Sequence, residues 1–225
     1  KLPETFEDSI VVNAVDNNGD QVRVKVTVED NAGNFVTGES KPFSINSVKP
    51  TCEVSFDDKA KRLEDGYGWY RNERTATVVI TDRESTFNPD AAEEGIVVTG
   101  KNMQGEAVAV KKAQINWSVD KEDSSKHVAK IKFADSARYE WSITYTNKAD
   151  LGFTWEEVVK KGQSVSSFTV DNDVPGGTIT VGKNIWDSLL EKLTFGLYSK
   201  GKLEVRATAE DVISPVTIQY YKTSN

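Results

Sequence analysis

Residues 139–151 read Tyr-Glu-Trp-Ser-Ile-Thr-Tyr-Thr-Asn-Lys-Ala-Asp-Leu, and 117 residues earlier residues 22–34 read Val-Arg-Val-Lys-Val-Thr-Val-Glu-Asp-Asn-Ala-Gly-Asn. Each stretch alternates apolar and polar residues and then runs into a turn. Tyr139, Trp141, Ile143 and Tyr145 fall on one side, as do Val22, Val24, Val26 and Val28. A period of two predicts strands with one face buried and one wet.

The same period recurs outward from these stretches. Thr75 to Asp82 is rich in β-branched residues, His127 to Phe133 places Ala129, Ile131 and Phe133 together, and Leu203, Val205, Ala207 and Ala209 alternate again. Turn signals separate the runs: Asn17-Asn18-Gly19-Asp20, Asn31-Ala32-Gly33-Asn34 and Pro175-Gly176-Gly177. Many short strands with such turns predict an all-β chain built of β-sandwiches. Two stretches carry helical spacing instead. Thr154 to Lys161 has Trp155, Val158 and Val159 on one face, and Ile185 to Leu193 has Ile185, Trp186, Leu189, Leu190 and Leu193. Both are expected as short helices in connections, with their apolar faces packed on the core.

The paired stretches belong to a longer repeat. Phe43 to Pro50 and Phe168 to Pro175 have Phe and Pro at the same places, 125 residues apart, and Thr77 to Asp82 lies over Arg206 to Asp211 at a spacing of 129. The chain therefore divides into 1–47, the C-terminal half of one repeat; 48–171, a complete repeat; and 172–225, the N-terminal half of a third. Each half alone exposes an apolar face and open strand edges. The complete repeat holds the halves apart, so they are expected to pair, if at all, between neighbouring chains.

Composition narrows the function. The 225 residues carry a net charge of −7, with Lys and Arg scattered among Asp and Glu, so no basic stripe exists for nucleic acid. No apolar run reaches the length that spans a bilayer, no signal peptide opens the chain, and residue 1 is Lys, as in a piece of something longer. One cysteine, Cys52, and one histidine, His127, leave no internal disulfide and no four-ligand zinc site. Cys52 reads as a small hydrophobe in a strand. His127 follows the polar run Lys121 to Lys126 and reads as a solvated loop residue.

Several motifs resemble bacterial immunoglobulin-like repeats of large Gram-positive surface proteins. They are Tyr70-Arg71-Asn72-Glu73-Arg74-Thr75-Ala76-Thr77 with Phe87-Asn88-Pro89; Asp135 to Tyr139, similar to a tyrosine corner; Glu29 to Asn34; and Phe168 to Pro175. The tail Ile213 to Tyr221 resembles a further strand of such repeats, with Pro215 where Gly is usual. The middle repeat departs from the pattern at Asn147 to Leu151, where Asp150 stands in place of Gly. The resemblance implies tandem immunoglobulin-like sandwiches at the outside of a Gram-positive cell, in the cell wall or secreted, stacked on adjacent repeats.

Candidate sites are sparse. Carboxylate pairs abound (Asp57-Asp58, Glu64-Asp65, Glu93-Glu94, Glu156-Glu157, Glu210-Asp211). A glycosidase needs two facing carboxyls roughly 5–9.5 Å apart, whereas neighbours on a strand point to opposite faces. No catalytic residue is assigned, no cofactor is implied, and the chain reads as non-enzymatic. Asp150, Asp171, Asn172 and Asp173 are candidate calcium ligands by their hard oxygens. Trp69 and Tyr70, after Gly66-Tyr67-Gly68, are candidates for stacking on a sugar. The leading expectation is a stalk or spacer that supports adhesion. The alternative is a carbohydrate- or protein-binding adhesin module, acting on a host or cell-surface glycan or protein, or accessory to a secreted glycoside hydrolase.

Overall fold

The computed structural model describes residues 7–56, 62–64, 67–111, 115–160, 167–182 and 204–221. These are mostly strands, in several sheets, with two short helices, so the chain is all-β as its alternation predicts. The stretch 185–193 lies outside the described residues.

One hydrophobic core draws buried residues from two sheets. The first has the order β11 (Ser118–Val119), β12 (Lys126–Phe133), β8 (Arg74–Thr81), β5 (Thr51–Phe56). The second has the order β10 (Ala107–Val108), β9 (Ile96–Lys101), β13 (Ala137–Ile143), β16 (Ser167–Val170), β7 (Tyr67–Tyr70), β6 (Arg62–Glu64). Along β8 every second residue is buried, which brings Ala76, Val78 and Ile80 inward. Phe133 of the first sheet meets Tyr139, Trp141 and Phe168 of the second at ring separations of 5.0–5.7 Å. Cys52 is buried in β5 and Trp141 in β13, as their strand positions predict. The strand pairs are antiparallel except β16 with β7, which runs parallel.

The corner and cap residues set how the chain enters these strands. Tyr139 Oη donates to the Asp135 carbonyl at 3.0 Å and accepts from the Asp135 amide at 3.1 Å, so the corner residue ties the start of β13 to the loop before it. Burial pushes the Tyr139 phenol up to about 12. Asn88 caps α1 (Pro89–Glu94), with Pro at the first turn where its missing N–H costs nothing. The second helix, α2 (Trp155–Lys160), falls within the predicted 154–161 and buries Val158.

The pairing registers repeat along the chain at the spacings seen in the sequence. Val28 pairs with Val36 between β2 (Lys25–Glu29) and β3 (Phe35–Glu39), and 117 residues on Tyr145 pairs with Phe153 between β14 (Tyr145–Thr146) and β15 (Gly152–Phe153). Val22 of β1 (Gly19–Val22) pairs with Phe43 of β4 (Phe43–Ile45), as Tyr139 pairs with Phe168. Glu53 pairs with Val79, as Thr178 of β17 (Gly176–Gly182) pairs with Thr208 of β18 (Glu204–Glu210). Burial does not repeat. Val36 is 67% exposed where Phe153 is 6%, and Ile179 is 75% exposed where its counterpart Val54 is 5%.

His127 corrects its sequence reading. It lies inside β12, 2% exposed, with its ring stacked on Phe87 at 3.6 Å. The polar run before it describes the turn, not the histidine, because strand alternation turns residue 127 inward while Lys126 stays out.

Candidate functional site

The sequence candidates converge at one end of the six-stranded sheet. There β7 and β16 finish side by side, the Asp171 amide donates to the Tyr70 carbonyl at 2.9 Å, and the chain leaves through Asp171 to Pro175 towards β17. A cleft of about 590 Å³ opens at this point. Trp69, Tyr70 and Arg71 line it together with Asp171, Asn172, Asp173 and Ser214. The aromatic candidates and three of the four proposed calcium ligands therefore line the same cleft.

Their roles differ. Trp69 and Tyr70 are neighbours on a strand and point to opposite faces. Tyr70 is turned into the core, where its ring meets Phe168 at 5.8 Å, and only part of it reaches the cleft. Trp69 faces outward and is half-buried; its Nε1 is shielded from solvent without an acceptor. Asn72, at φ +75°, reverses the chain after β7 and brings Arg74 back over Phe56, Tyr70 and Phe168 at 3.6, 4.0 and 4.5 Å. This cage explains the aromatic and arginine positions of the Tyr70 to Arg74 motif: the guanidinium is buried among three aromatic rings in the core.

The calcium candidates do not assemble. Asp150 lies beyond the far end of β13 from Asp171, roughly 20 Å along a seven-residue strand. The Asp171 carboxylate accepts from the Asp173 amide at 3.1 Å and from the Ser214 hydroxyl, and the Asn172 side chain donates to the Ala134 carbonyl at 2.8 Å. Among the described residues no group of three His, Cys, Asp or Glu is placed to hold a metal. Asp173 keeps a carboxylate with no partner among the described residues, and so does the guanidinium of Arg71.

The same loop chemistry occurs at the earlier junction. Asn46 Oδ1 accepts from the Val48 amide at 3.0 Å, as Asp171 Oδ1 does from Asp173; the Asn46 amide donates to the Thr86 hydroxyl at 2.9 Å, whereas Asp171 accepts from the Ser214 hydroxyl. There, however, the charged groups are committed. Arg83 donates to the Ile45 carbonyl at 2.9 Å and to Asn18 Oδ1 at 2.8 Å, and lies 3.5 Å from Asp20. The hydroxyl of Ser85 holds the Asp20 carboxyl below its usual range.

A buried polar cluster beneath that junction was not legible in the sequence. Asp82 accepts from Tyr145 Oη at 2.8 Å, from Asn147 at 3.1 Å, from the Thr86 hydroxyl at 3.1 Å and from the Arg83 amide at 2.9 Å. Its carbonyl lies 3.2 Å from His127 Nε2; a carbonyl only accepts, so Nε2 carries the proton. Desolvation lowers the His127 pKa and raises that of Tyr145. The cluster brings titratable groups together, yet its carboxylate is filled by donors from its own chain. Cys52 and His127 both pair with Ile80, from opposite sides of β8, so two strand spacings of roughly 10 Å separate them and they form no nucleophile–base pair. No described helix is long and apolar enough to cross a membrane. No protein-family model, curated protein or solved structure matches the chain.

Proposed function

We propose that the chain is a run of tandem immunoglobulin-like β-sandwiches, a half, a whole and a half, acting as a non-enzymatic spacer in a bacterial cell-surface or secreted protein. The observation that carries this reading is a side-chain bond made at both places: Asn46 with Thr86, and 125 residues on Asp171 with Ser214, whose position falls one residue short of the counterpart of Thr86. A spacer needs each unit to hold its neighbour at a set angle, and a side-chain bond across every junction supplies that. The parallel pair β7–β16 supports the mechanical part. The last strand of the unit is then held by bonds that a pull along the chain loads together in shear. The apolar faces left on β2, β3, β17 and β18 fit partners of the same kind, the adjacent repeats.

Single-molecule pulling on the whole chain tests the reading. A spacer unfolds its complete unit in one event that releases roughly 400 Å, at about 3.3–3.6 Å per residue. A chain that extends smoothly without a force peak overturns the mechanical role. Small-angle scattering that loses its fixed interdomain spacing in Asn46→Ala and Asp171→Ala supports the junction argument, and scattering indifferent to both sinks it.

A further inference from the structure

We propose that the cleft at Trp69 binds a short, uncharged saccharide. This rests on the cleft alone and not on the spacer reading. Its volume, about 590 Å³, falls in the range of about 300–1,000 Å³ typical of small-ligand sites. What the cleft offers is mixed. The indole of half-buried Trp69 supplies apolar aromatic surface. Arg71 supplies donors only, and Asp173 supplies acceptors only, with no partner for either among the described residues.

Each competing ligand class leaves part of this set unmet. An anion pairs with Arg71 but faces the carboxylates of Asp171 and Asp173. A cation meets the reverse problem at Arg71. An apolar ligand covers Trp69 and strips water from a guanidinium and a carboxylate without replacing it, which is costly. A sugar ring presents a C–H face to the indole and hydroxyls that donate and accept at its edge, so one ligand covers Trp69 and satisfies Arg71 and Asp173 together. The earlier junction lacks both features: its arginine, Arg83, is already bonded, and no tryptophan lines its cleft. The site is therefore specific to the second junction although the loop is shared.

The test is titration of the full chain with neutral trisaccharides of glucose, mannose, galactose, xylose and N-acetylglucosamine, read by tryptophan fluorescence and calorimetry. Binding by at least one is expected. Arg71→Gln and Asp173→Asn, both at exposed positions, each weaken it about tenfold or more. Trp69→Ala abolishes it, and circular dichroism with a thermal melt checks that this variant still folds. No binding by any member at about 10 mM overturns the proposal. So does binding that survives Arg71→Gln and Asp173→Asn together, or binding confined to sulfated or uronic saccharides run in parallel.

Discussion

Asp150 holds φ +61° at the place in its turn where Gly33, 117 residues earlier, holds φ +84°. Around them the bonds coincide. Asp30 Oδ1 accepts from the Ala32 and Asn34 amides, and Asn147 Oδ1 accepts from the Ala149 and Leu151 amides. Donors from Asn34, its side-chain amide first, keep the Asp30 carboxyl below its usual range. The loss of glycine has therefore not changed the turn; a left-handed aspartate bears the strain, and Asp tolerates that region better than most residues.

The strain predicts opposite signs for two substitutions. Asp150 is exposed and its side chain bonds to nothing among the described residues, so Asp150→Gly is expected to stabilise by about 0.5–1 kcal/mol. Gly33→Val places a β-branched residue at positive φ, although a Cβ there meets only Glu29 Oε1, at 3.9 Å, and is expected to cost about 1–2 kcal/mol. Urea unfolding curves read both. A destabilised Asp150→Gly would mean that the carboxylate holds the turn in some other way.

How much could be read beforehand divides along a physical line. Strand faces, the corner at Tyr139 and the turn at Gly33 depend on residues close in sequence, and alternation or a single φ requirement betrays them. The Asp82 cluster depends on Tyr145 and Asn147, 63 and 65 residues away, and no local pattern announces it. His127 was misplaced for the same reason, since its surroundings are set by Phe87 across the fold and not by Lys126 beside it. The candidate cleft was half legible. Trp69 and Asp173 each stood out, but their meeting follows from the parallel β7–β16 pair.

Repeated register with unequal burial predicts unequal cost at matching positions. Phe153→Ala removes a core ring and is expected to cost about 3–5 kcal/mol, whereas Val36→Ala, at the equivalent place but 67% exposed, should cost within about 0.5 kcal/mol. If Val36→Ala is costly in the chain as it stands, its face is already covered, and equilibrium unfolding of the two variants decides it.

His127 predicts a stability loss on the acid side of neutrality. Its folded pKa is lowered from 6.5, chiefly by desolvation. Below pH 6.5 the unfolded chain therefore binds the proton more readily, and stability falls as pH drops towards the folded value. The contribution is complete above pH 6.5. His127 is the chain's one histidine, and the lowered carboxyls of Asp20, Asp30 and Asp123 lose their contribution only further down, below about 4. His127→Phe should flatten the profile just below about pH 6.5, measured by denaturant midpoints at fixed ionic strength. An unchanged slope in that variant would place the titrating group elsewhere.

The bond between Tyr145 and Asp82 predicts a ranking. Tyr145→Phe takes one donor from a buried carboxylate and the acceptor from the Asn88 amide at 3.0 Å, at the mouth of α1. The expected cost is about 2–4 kcal/mol, a charged hydrogen bond together with an orphaned N–H. Asp82→Asn keeps the shape but should cost more. Thr86, Asn147 and the Arg83 amide direct hydrogens at Asp82 Oδ1 and Tyr145 directs one at Oδ2; an amide keeps an acceptor oxygen for one set only, turns its NH2 on the other, and removes the negative charge from all four bonds. Thr86→Val should fall below both, because it removes a single hydroxyl, and it should also loosen Asn46, whose amide donates to that hydroxyl. Thermal and urea melts of the three variants give the order Asp82→Asn, Tyr145→Phe, Thr86→Val from most to least damaging. A neutral Asp82→Asn would show that the donors have other acceptors, and that the cluster does not anchor the earlier junction to the core.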